Sequence, residues 1–89
     1  MLRREITIVN KLGLHARAAA KFVTLASRFD SEVRVARGNR QVNGKSIMGV
    51  MMLAAARGAV LELTVEGSDE VEAAAALEQL ILARFGEAE

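Results

Sequence analysis

The chain has no cysteine, proline, tryptophan or tyrosine in its 89 residues, and only one histidine. Without cysteine there is no disulfide, no thiolate nucleophile and no cysteine-ligated zinc. One histidine cannot build a multi-histidine metal site within a chain, and neither metal nor cofactor is expected. Three Phe are the only aromatics, so the core must be filled mainly by Leu, Val, Ile, Met and Ala. No stretch approaches the ~20 uninterrupted apolar residues of a membrane-spanning helix. Membrane insertion is therefore not expected. The opening MLRREITIVN carries charge at positions 3, 4 and 5 and too short an apolar run for a secretory signal. The cytoplasm is the expected location.

What is present fits a folded protein. The hydrophobic fraction is 52% and the charged fraction 26%, unlike a disordered chain. The length suits one small domain over residues 1–89. Net charge is +1, but unevenly spread. Residues 1–58 hold eleven Lys/Arg and three acids, whereas residues 59–89 hold one Arg and eight acids. A basic part that includes the histidine suits an acidic or phosphorylated partner, unless folding mixes the two parts.

Periodicity gives the element order. REITIVN alternates, with Ile6 and Ile8 on one face, and predicts a strand ending near Asn10. From Ala16, residues Ala19, Phe22, Val23 and Ala26 follow a helical stripe that fades around Arg28–Asp30. EVRVAR alternates again, RGN turns, and RQVNG returns as a short edge strand. KSIMGVMMLAAARG predicts a short helix capped by Ser46, weakened by Gly49 and stopped in the left-handed region at Gly58. AVLELTVEG is the clearest strand. The last segment, SDEVEAAAALEQLILARF, predicts a helix capped by Ser68 or Asp69, with Ala74, Leu77, Ile81 and Phe85 inward. The order β-α-β-β-α-β-α predicts an α+β open-faced sandwich: a four-stranded, mainly antiparallel sheet covered on one face by three helices.

His15 lies in NKLGLHARA, at the junction between the Gly13 loop and the first helix. The amides of Ala16 and Arg17 have no helical acceptors there, which makes a ready anion site. The positive helix end disfavours a cationic ring, and a neutral imidazole is a nucleophile that can take a phosphoryl group. Arg17 can add charge-assisted hydrogen bonds, although positions i and i+2 do not face each other on a regular helix. The plain alternative is a solvated polar residue beside a cap.

GLHARAAAKF and GKSIMGVMMLAA together resemble the HPr family, the histidine-containing phosphocarriers of the bacterial phosphoenolpyruvate:sugar phosphotransferase system. The resemblance covers essentially the whole chain. It departs from the family's Gly-Leu-His-Ala-Arg-Pro-Ala signature at Ala18, where proline is usual; alanine remains a good helix former, so a slightly less rigid turn is expected. The resemblance implies that His15 accepts a phosphoryl group from enzyme I, on Nδ1, and passes it to EIIA domains. It implies that Arg17 steadies the phosphate.

Ser46 reads first as an N-cap, and phosphate there sits well against a helix start. KSIMGVM resembles the HPr branch phosphorylated on this serine by an HPr kinase/phosphorylase. Met51 and Met52 could be core, yet a two-turn helix cannot bury all its apolar residues. The resemblance places Ile47, Met48 and Met51 on a docking surface beside Ala20 and Thr24. Arg34, Arg37, Arg40 and Lys45 lack aromatic stacking partners, so no nucleic-acid partner is expected. The tail GEAE suggests no chemistry. The expected protein is a monomeric carrier, an acceptor and donor more than an enzyme. A nitrogen-type regulatory phosphorelay is the alternative within the class, and an ACT-like ligand-binding domain the alternative outside it.

Overall fold

The computed structural model describes residues 1–89. The elements run β1 (Leu2–Thr7), α1 (Ala16–Ala26), β2 (Glu32–Arg37), β3 (Arg40–Asn43), α2 (Ile47–Met52), β4 (Val60–Glu66) and α3 (Glu70–Leu82), followed by a 3-10 turn at Arg84–Gly86. The sheet order is β1-β4-β2-β3 and every pairing is antiparallel. The three helices lie over one sheet face, the open-faced sandwich expected from the element order.

Alternation explains which face is covered. In β4, Leu61, Leu63 and Val65 are buried while Glu62 and Glu66 are exposed. Val33 and Val35 of β2 and Ile6 of β1 join the same apolar layer. Above it pack Ala18, Ala19, Phe22, Val23 and Ala26 of α1, and Ala73, Ala74, Leu77 and Ile81 of α3. Alanines let these two helices approach the sheet closely, and Phe22 and Phe85 fill the space that aliphatic side chains leave.

Several boundaries differ from expectation. β1 ends at Thr7 rather than near Asn10, although Ile8 is still buried and still exchanges backbone hydrogen bonds with residues 58–59. The final helix is shorter than its periodic sequence: it stops at Leu82, and Arg84 and Phe85 take positive φ, which turns Phe85 back into the core. Asp69 occupies the N-cap position of α3 without capping it. Its carboxylate instead accepts the amides of Asp30 and Ser31, each at 2.9 Å, and the Ser31 hydroxyl. The left-handed stop of α2 falls at Ala54 (φ 50), directly after the Leu53 C-cap. Gly58 (φ 93) shapes the turn into β4 instead.

The candidate phosphoryl site at the start of α1

The loop before α1 is built by three residues. Gly13 has φ +67 and passes so close to residues 55–56 that an added Cβ would lie 2.3 Å from the Ala55 carbonyl oxygen. Leu14 is buried, and its amide donates to that same carbonyl at 2.9 Å. Asn10, fully buried, donates through Nδ2 to the Gly13 carbonyl at 2.9 Å. The chain then enters α1 with His15 as its extended N-cap residue.

The His15 side chain makes no capping hydrogen bond. The first intrahelical bond runs from the Ala19 amide to the His15 carbonyl, so the amides of Ala16 and Arg17 keep the free donors expected of a helix start. His15, Ala16 and Arg17 border one open cleft of about 910 Å³. Arg17 is exposed and enters no ion pair, which leaves its guanidinium available to an arriving anion.

The tail, from which the sequence suggested no chemistry, closes the other side of this cleft. His15 Nε2 is hydrogen-bonded to the Glu87 carboxylate, and Asn10 Nδ2 donates to the other Glu87 oxygen at 3.0 Å. The Asn10 amide holds the Glu87 carboxyl below the usual glutamate range; partial burial opposes this, and the His15 ring adds to it. With Nε2 engaged, Nδ1 is the ring nitrogen without a hydrogen-bond partner. No spacing rule joins residue 15 to residue 87. The one sequence signal was Phe85, an aromatic whose burial folds the following residues back over the protein.

Ser46 caps α2 as expected, its hydroxyl accepting the Gly49 amide at 3.1 Å. Neither Met51 nor Met52 is core: only Val50 of α2 is buried, and Ile47, Met48, Met51 and Met52 are all exposed. α1 and α2 pack together. Thr24 is exposed and Ala20 half-buried, and both border a shallow cleft with Leu80 of α3. The basic hairpin is committed internally. Arg37 donates to the Leu53 carbonyl at 2.6 Å, Arg40 to the Met52 carbonyl at 2.8 Å, and Lys45 to the Phe29 carbonyl at 2.7 Å.

Residues 2–83 match the family model for the PTS HPr component phosphorylation site. The chain is 60% identical over 89 residues to the phosphocarrier protein HPr of Neisseria meningitidis serogroup B, with all of both chains covered. The structure of HPr-C-His from Thermoanaerobacter tengcongensis superposes with a TM-score of 0.96, 50% identity and full coverage of both chains. A second structure from that organism, described as an HPr dimer, gives 0.79 at 52% identity, covering 98% of this chain and 100% of the other. A lone imidazole at an open helix start, carried on this sheet and in this sequence context, places the chain in the HPr family: it is a phosphocarrier protein of the phosphotransferase system, which carries a phosphoryl group rather than turning over a substrate.

Proposed function

We propose that the protein accepts a phosphoryl group from enzyme I on His15 Nδ1 and hands it to EIIA domains, as a cytoplasmic, monomeric, single-domain carrier. The observation that carries this reading is the position of His15: an N-cap imidazole beside the free amides of Ala16 and Arg17, with the Arg17 guanidinium unpaired. Dianionic phosphate meets in that place two backbone donors, the positive helix end and a bidentate cation. Transfer between such carriers depends on positioning and charge stabilisation, with no further covalent chemistry for the protein to supply. Ile47, Met48 and Met51 offer exposed, adaptable apolar surface that can dock successive partners, with Ala20 and Thr24 on α1 extending it.

The test is an intact-mass measurement after incubation with phosphoenolpyruvate, Mg²⁺ and enzyme I. One acid-labile phosphoryl mass is expected on the wild type and none on His15→Ala. Absence of the gain with the cognate donor would reject the carrier reading in favour of ligand binding.

Ser46 is the proposed regulatory site, a substrate for HPr kinase/phosphorylase. A phosphate there would sit among the exposed residues of α2, where it adds charge to an apolar docking surface. Ser46→Asp should raise the KM of enzyme I for the carrier at least several-fold, and should do so without lowering the melting temperature. Unchanged acceptance kinetics would dismiss the regulatory role.

A further inference from the structure

We infer that Glu87 is a positioning residue for phosphoryl transfer, fixing the Nε2–H form of the His15 ring so that Nδ1 faces the donor, and balancing the charge the ring acquires. The inference rests on the carrier reading above and extends it to a residue beyond the family-model match, which ends at position 83.

Glu87 is held in place from several directions. Phe85, fully buried, anchors the chain two residues earlier, and Lys21 of α1 donates to its carbonyl at 2.7 Å. The Lys11 amide donates to the Glu89 carbonyl at 3.0 Å, and Arg84 to the Ala88 carbonyl at 3.2 Å. Asn10 makes the decisive tie. Its single NH₂ group serves both the Gly13 carbonyl, in the loop that delivers His15, and the Glu87 carboxylate. Rotating that amide by half a turn would set its oxygen against two acceptors, so its orientation is fixed. One buried side chain therefore sets the loop that carries the imidazole and the carboxylate that orients it.

The chemistry follows from the pairing. A carboxylate on one imidazole nitrogen holds the proton there and leaves the lone pair on the other. As the donor's bond to phosphorus breaks, its electron pair leaves with the donor, and the Nδ1 lone pair forms the new Nδ1–P bond. No proton moves. The ring gains one positive charge, with the proton still on Nε2, and the Glu87 carboxylate faces that charge as it develops. Onward transfer runs the same step in reverse: the ring departs as neutral imidazole with Nε2 still protonated.

The test compares wild type with Glu87→Ala, Glu87→Gln and Glu87→Asp in enzyme I-dependent phosphorylation at varied carrier concentration. Removing the carboxylate should lower kcat roughly ten-fold or more, with KM for the carrier within about two-fold. Asp should restore most of kcat. Gln keeps an acceptor without charge, so it should preserve a water-protected Nε2–H resonance of His15 in ¹⁵N-edited NMR without restoring kcat, whereas Ala should lose both. A Glu87→Ala protein with wild-type kcat, or one changed only in KM, would overturn the inference while leaving the carrier reading intact. A wild type that accepts no phosphoryl group would overturn both.

Discussion

Gly13 shows how little freedom the loop before His15 has. Its φ of +67 suits glycine, and a methyl group there would collide with the backbone at Ala55–Ala56 rather than with a flexible side chain. Left-handed strain alone costs about 1–2 kcal/mol for an alanine, and the collision adds to it. Gly13→Ala should therefore lose roughly 2 kcal/mol or more, which is a fall in Tm on the order of 10 °C. It should also slow phosphorylation of His15, because the Leu14 amide must move off the Ala55 carbonyl. Calorimetry and the phosphorylation assay check the two halves separately. The place of the histidine and its arginine at a helix start was legible in the sequence, since a helix boundary is set locally. Glu87 was not, because it reaches His15 only after α3 has crossed the sheet and Phe85 has turned the chain back.

At the scale of elements, α2 is the least self-sufficient. It has six residues, one of them Gly49, and one buried side chain. Ser46 satisfies an amide at its start, while Arg37 and Arg40 satisfy carbonyls at its end, where the dipole favours cations. That employment gives the arginines of the basic hairpin a structural role. The helix was expected to run toward a stop at Gly58, but it closes at Ala54, a non-glycine residue with φ 50. Glycine there would remove left-handed strain and restore some entropy to the unfolded chain. The net expectation for Ala54→Gly is a gain of about 0.5–1 kcal/mol, seen as a rise of a few degrees in Tm. An unchanged or lower Tm would mean that the Ala54 methyl group makes compensating contacts. The stop was misread because glycine marks where a left-handed residue is easiest, whereas packing of Leu53 and Ala55 into the core decides where it falls.

Across the whole molecule, folding mixes the basic and acidic parts. Met1–Glu70, Arg4–Glu78, Lys11–Glu89, His15–Glu87 and Arg34–Glu66 each join residues 1–58 to residues 59–89. The exposed pairs contribute little individually. Asp69 matters more, because it binds the connection between α1 and β2 to the start of α3. The Ser31 hydroxyl, followed by the Asp30 amide, holds its carboxyl below the ordinary aspartate value of 3.8, against a partial opposing effect of burial. A carboxyl depressed in the folded state stabilises above its unfolded pKa and loses that contribution as pH falls through the folded value. Acidification below about 3.8 should therefore erode wild-type stability more steeply than that of Asp69→Asn, which should be the less stable protein at pH 7. Urea denaturation at pH 7 and at pH 3 measures this. A gap between the two proteins that does not narrow at pH 3 would show that Asp69 does not act through its ionised form.

By itself the sequence determined what depends on neighbours along the chain: the order of elements, the buried stripes of the helices, the inward faces of the strands, the Ser46 cap and the placing of His15 and Arg17 at the start of α1. Hydrophobic periods and caps are local, so they survive without knowledge of the fold. Only the tertiary structure decided what depends on distant segments meeting. The sheet order β1-β4-β2-β3 carries α3 back toward the first loop. The turn of Asp69 away from its own helix, the closure of α2 at Ala54 and the seating of Glu87 against His15 each require partners at least a dozen residues away. Chain proximity cannot encode them. They arise because one apolar core must be closed from both ends of the chain, and the polar groups left at its edge then take the nearest partner that closure provides.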